Sequence, residues 1–111
     1  MKLVNDRVEF EVDVKGESGK IYKGTFIMKL FLTLSERRQV AVDYSRRDAG
    51  NEKDGLMSII TKSICELQAH VIECPDWFRG DKVWELVDND PVMRLRENLD
   101  AAIEEYIEQN K

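Results

Sequence analysis

The chain has 111 residues, which suits one domain and leaves no room for a second large core. A composition of 42% hydrophobic and 35% charged residues, with two prolines and six glycines, excludes collagen-like, low-complexity and Pro-rich disordered classes. Asp and Glu number 22 against 17 Lys and Arg, and the resulting net charge of −5 argues against binding to a phosphate backbone.

The first third reads as sheet. Val8, Phe10, Val12 and Val14 alternate with Glu9, Glu11, Asp13 and Lys15, the period of a half-buried strand. After Gly16-Glu17-Ser18-Gly19, the run Ile21 to Leu32 puts Tyr22, Phe26, Met28 and Leu30 on one face and Lys23, Thr25 and Lys29 on the other. Gly24 interrupts it and predicts a bulge or a close backbone approach. The short link makes an antiparallel hairpin the natural pairing, and its apolar face needs cover from helices or from another chain.

The remainder reads as helix. Thr33-Leu34-Ser35-Glu36 matches a capping box, opening a helix to about Asp48 with Gly50 beyond its end. Residues 50–55 form a polar link. Leu56, Ile60, Ile64, Leu67 and Val71 then recur at helical spacing, with Met57 and Ile59 widening the stripe, so this is the expected central helix, ended by Pro75. Trp77-Phe78-Arg79-Gly80 and Trp84-Glu85-Leu86-Val87 form an aromatic connector. Asp90 caps and Pro91 opens a last helix whose stripe is Val92, Leu95, Leu99, Ala102, Ile103 and Tyr106. The expected fold is α+β: one domain, with a β-hairpin in residues 1–32 and three main helices in residues 33–111.

Chemistry-bearing motifs are few. Gly16-Glu17-Ser18-Gly19-Lys20 has too few residues between its glycines, and the wrong following element, for a phosphate-binding loop. His70, Glu73, Cys74 and Pro75 have the wrong order for a zinc deaminase, and no second His completes a structural zinc site with Cys65 and Cys74. Both cysteines read as core-filling thiols and His70 as a partly exposed helix residue. With one His and no nucleophile motif, no catalytic residue, metal or cofactor is expected. No apolar run reaches the roughly 20 residues that span a bilayer, and residues 1–7 lack a signal-peptide apolar region, so a membrane is not an expected partner and the expected location is cytoplasmic.

Three surface constellations remain. Arg37, Arg38, Arg46 and Arg47 spread round their helix rather than lining one face, which fits solvated helix ends better than a nucleic-acid patch. Glu97, Asp100, Glu104 and Glu108 do share a stripe, either a solvated face or a docking surface for basic residues. Trp77, Phe78 and Trp84, with Met93 one position off the last helix's core stripe, either plug the end of the core or anchor a protein partner, rimmed by Asp76, Asp81, Glu85 and Asp88.

A ribbon ending in Gly24-Thr25-Phe26, then Leu32-Thr33-Leu34-Ser35-Glu36-Arg37-Arg38, a long middle helix from Met57 to Glu73, the Cys74-Pro75-Asp76-Trp77-Phe78 segment and an acidic last helix follow one another in order. This order resembles the tail assembly chaperones of long-tailed bacteriophages, over roughly Val8 to Tyr106. The resemblance implies a small, non-enzymatic, oligomerising α+β protein in the host cytoplasm that coats hydrophobic segments of the tape measure protein until the tail tube assembles. It brings no catalytic residues with it. The alternatives are a virion structural protein of the tail or head-completion kind and, less favoured by the charge, a small nucleic-acid-binding regulator.

Overall fold

Alternation of apolar and charged residues builds the sheet. The structure, a computed structural model, describes residues 1–50 and 53–111. It is α+β: an antiparallel sheet with its first three strands at the N-terminus, followed by three main helices. Strand β2 (Arg7–Lys15) buries every second side chain, Val8, Phe10, Val12 and Val14, as its period requires. It pairs with β3 (Ile21–Lys29) along its whole length, Val14 opposite Tyr22 and Phe10 opposite Phe26. The connecting loop is closed by Gly19 N–H donating to Gly16 O at 2.9 Å, with Gly19 at φ 93°, a left-handed conformation that glycine adopts without strain.

The two-stranded ribbon expected from sequence is in fact part of a four-stranded sheet, in the order β1-β2-β3-β4. Strand β1 (Lys2–Val4) folds back on β2 through a tight turn in which Asn5 takes φ 57°. Strand β4 comes from the stretch read as the end of the middle helix. Helix α2 (Gly55–His70) stops at His70, and Val71–Glu73 becomes β4, pairing Val71 with Met28 and Glu73 with Ile27 across a register shift. Val71 and Ile72 are β-branched, and Pro75 disfavours helical backbone at Cys74, so this segment favours extended structure. The boundary at residue 32 is corrected accordingly, since the sheet draws its fourth strand from the helical part.

Helix α1 (Leu34–Asp48) starts with the expected capping box: Thr33 Oγ1 accepts from Glu36 N at 3.2 Å and Glu36 Oε1 from Thr33 N at 2.9 Å. Of the polar link before α2, Asn51 and Glu52 lie outside the described residues, while Asp54 caps α2 by accepting from Met57 N at 3.0 Å. Leu56, expected in the buried stripe, and Met57 and Ile59, expected to widen it, are all exposed on the first turns of α2. The connector forms two short 3-10 turns, Asp76–Phe78 and Gly80–Glu85. Helix α3 (Asp90–Gln109) has Asn89, not Asp90, at its N-cap position.

The core lies between one face of the sheet and α2 and α3. Phe26, Met28, Leu30, Leu67, Leu95 and Leu99 are fully buried there, with Ile60, Ile64, Val83 and Val92 around them. Helix α1 buries no side chain and rests on α2. His70, expected to be partly exposed, is buried instead, with Nδ1 2.7 Å from Lys29 O; desolvation holds its basicity below the ordinary imidazole range. Gly24 is a close-approach position, as a Cβ there would sit 2.5 Å from Pro75 Cγ.

Candidate functional site

The aromatic connector does not form an exposed patch. Phe78 is 1% exposed. Its ring packs edge-on against Phe26 at 5.4 Å and Trp77 at 6.1 Å, and Trp77 also meets Phe26 and Tyr22. The Trp77 indole N–H donates to Lys23 O at 2.9 Å, so this side chain is fixed at both its apolar and polar ends. Trp84 and Met93 are half-buried against the same core. Of the two readings open in the sequence, plug and partner anchor, this packing matches the plug: Phe78 lies in the core and Trp77, Trp84 and Met93 are partly buried against it. Of the proposed rim, Asp88 is itself buried.

Five of the eight charged residues of the two surface sets have local ion partners. Arg47 stacks over the Trp84 ring, 4.7 Å from its centroid, and lies 3.6 Å from Asp81, while Arg46 meets Asp43 at 3.5 Å. On α3, Glu97 faces Arg94 at 3.9 Å, Asp100 faces Arg96 at 3.5 Å and Glu108 faces Lys111 at 2.9 Å. Among the described residues no ion pair joins Arg37, Arg38, Arg46 or Arg47 to Glu97, Asp100, Glu104 or Glu108, so the two sets do not meet within the chain. Exposed pairs one helical turn apart contribute only about 0.3–0.5 kcal/mol each, which describes a solvated face.

The feature that sequence reading missed is an apolar cleft of about 550 Å³ beside α1. Leu30, Phe31, Val40, Ala41, Tyr44 and Ile103 line it, and Arg37, Lys62, Glu66 and His70 stand among them as its polar groups. Its frame follows from local chemistry. The capping box fixes where α1 begins, and the Lys29 ammonium bonds the same Glu36 carboxylate. That bond, with the Thr33 backbone N–H, pulls the Glu36 acid down to about 2. Phe31 packs edge-on against Tyr106 at 5.3 Å, tying the entry of α1 to the end of α3. Phe31 and Leu34 remain exposed at the α1 entry. The only sequence signal was the apolar run Leu30-Phe31-Leu32, in which the alternation of the preceding strand stops.

A second cluster lies at the other end of the sheet. Asp88 accepts from Ser18 N at 2.9 Å, Ser18 Oγ at 2.6 Å and Tyr22 Oη at 2.8 Å, and Asp90 accepts from Glu17 N at 3.3 Å. A Cβ on Gly16 would overlap the Asp88 carboxyl group, so glycine is required for this approach. The donors are Glu17 and Ser18 of the hairpin loop and Tyr22 of β3, which makes the cluster a latch between that end of the hairpin and the start of α3. The Ser18 bonds hold the Asp88 acid below its ordinary range, whereas burial and the Asp88 bond push the Tyr22 phenol from 10.0 up to about 12. An unfolded tyrosine therefore releases its proton before the folded one, and this part of the stability is lost as pH rises from 10.0 toward 12. Tyr22→Phe is expected to cost about 1–2 kcal/mol at neutral pH and to flatten the alkaline loss, as measured by urea unfolding between pH 7 and pH 11.

Burial pushes both the Cys65 and Cys74 thiols up, away from the reactive thiolate form. Among the described residues there is no group of three or more His, Cys, Asp or Glu side chains placed to hold a metal ion. No described helix is long and apolar enough to cross a membrane. No family model, curated protein or solved structure matches the chain.

Proposed function

We propose that the protein is a non-enzymatic binding protein that holds an amphipathic helical segment of a protein partner in the cleft beside α1. The observation that carries this reading is the cleft itself. It is open, apolar on its floor and polar in only a few places, and Phe31, one of its lining residues, is exposed. An apolar groove of this kind takes the apolar face of a helix, read as residues one turn apart. That is the task of an assembly chaperone, and the resemblance to phage tail assembly chaperones supplies the client: apolar segments of the tape measure protein. Self-association and residence in the cytoplasm of a bacterial host belong to the same proposal. The client site moves from the aromatic connector, which is committed to the core, to the cleft.

Ala41 is the residue for the test, because it lines the cleft from α1, which buries nothing. Ala41→Trp fills the groove without entering the core. Binding of a labelled amphipathic tape measure helix to the purified protein is expected to weaken about tenfold or more, a loss of about 1.4 kcal/mol, while thermal stability stays unchanged. Absence of binding by the parent protein, or undiminished binding by Ala41→Trp, would remove the proposal.

A further inference from the structure

The two edges of the sheet are treated differently. Along β3 outward groups are engaged at Lys23, Ile27 and Lys29. Ile27 pairs with Glu73, the Lys29 carbonyl lies 2.7 Å from His70 Nδ1, the Lys23 carbonyl accepts from Trp77, and the Pro75 ring lies over Gly24. Along β2 the cover stops early, because β1 pairs only with Arg7, Val8 and Glu9. The direction of the remaining groups follows from the ends of the β2–β3 ladder. Leu30 N–H donates to Asp6 O and Gly16 N–H to Lys20 O, each at 2.8 Å. In an antiparallel ladder these bonding pairs alternate, so even-numbered residues of β2 bond β3. Glu11, Asp13 and Lys15 turn their N–H and C=O groups the other way, and among the described residues nothing pairs with them there.

Native sheets normally blunt such an edge with proline, a bulge or a covering element. This stretch has none of these; the charges of Glu11, Asp13 and Lys15 alone guard it, and its register against β3 is unbroken. Beside it lie two hollows. One of about 470 Å³ is lined by Asp13, Lys15, Met93, Arg94 and Glu97, and one of about 750 Å³ by Met1, Glu9, Glu11 and Asn98. Helix α3 thus runs alongside the open edge and leaves room for a strand. On the outer face the edge is acidic at Glu11 and Asp13, and Asp13 has only a 4.0 Å contact with exposed Lys23. A second copy laid antiparallel and centred on Val12 would set Glu11 against Asp13, which disfavours self-pairing in that register. Centred on Asp13 it would set Asp13 against itself but Glu11 against Lys15, so a dimer is the competing outcome of the test.

We infer that the β2 edge from Phe10 to Lys15 is a strand-addition site for an extended segment of another protein in which basic side chains alternate with apolar ones. The basic residues face Glu11 and Asp13, and the apolar residues between them extend the buried face of Val12 and Val14 toward Met93. This site is separate from the cleft beside α1 and does not depend on it.

The geometry specifies a probe. A strand antiparallel to β2 meets Lys15 first and Glu11 last, so the matching peptide is Glu-Val-Lys-Val-Arg, labelled at its N-terminus. Its anisotropy should rise and saturate on titration with the full-length chain, and the amides of Glu11 and Asp13 should become protected from hydrogen exchange. The Lys N–H of the peptide points at β2 and the Val N–H groups point away. N-methylation of the Lys should weaken binding about tenfold or more, while N-methylation of either Val should leave it within about twofold. The charge-reversed peptide Lys-Val-Glu-Val-Glu should also lose about tenfold. Equal losses from Lys and Val methylation would overturn the inference, since binding would then not use the strand edge. So would an absent anisotropy change, or a dimer by sedimentation in which the Asp13 amide is already protected.

Discussion

Phe26→Ala is expected to lower unfolding stability by about 3–5 kcal/mol, the usual cost of truncating a fully buried ring. Phe26 has no exposed surface and touches three aromatic neighbours: Phe10 at 5.9 Å, Trp77 at 5.6 Å and Phe78 at 5.4 Å. It is the side chain through which the sheet meets the connector, so its loss opens a cavity whose walls cannot all move inward. Urea unfolding should show a lower midpoint with an unchanged slope, because the same surface is still exposed on unfolding. A change under about 1 kcal/mol would mean that the four rings do not form the central packing unit.

Ile60→Asp should abolish cooperative folding, and Ile59→Asp should not. The two residues are adjacent on α2, but Ile60 is 5% exposed and Ile59 is 58% exposed. An unpaired charge at the buried position costs several kcal/mol against a total of about 5–15. At the exposed neighbour the same change falls within about 0.5 kcal/mol. Circular dichroism melts of the pair give the contrast directly. Equal melts would place the wrong face of α2 in the core.

The parts of the fold legible in the sequence were those where one period governs a long run. Strand β2 has nine residues in strict alternation, and the structure buries the four apolar ones that pattern selects. The Thr33–Glu36 capping box and the stripe of α3 were equally local signals. The edge strands were not, since Lys2–Val4 and Val71–Glu73 have three residues each, too few to show a period. Val71 moreover falls four residues after Leu67, so helical spacing absorbed it. Only the β-branched pair Val71-Ile72 ahead of Cys74-Pro75 could have marked the change. The cleft and the Asp88 latch were invisible for another reason. Each is made by residues distant in the chain, such as Ser18 and Asp88, whose meeting no local pattern encodes. The aromatic connector shows the converse, since its composition fitted both plug and anchor and only the packing of Phe78 decides between them.

Helix α1 carries a consequence of its own. Polar clasps, rather than buried side chains, hold it: Glu36 to Lys29 near its start, Ser58 to Asp48 and Arg47 over Trp84 near its end. A segment fastened in this way opens at a lower free energy than the sheet does, and its opening leaves the packed interior whole. The cleft therefore has one wall set by the core, at Leu30 and Ile103, and one wall on the more weakly held α1; under the function proposed above, that second wall is the one expected to yield to guests of different girth.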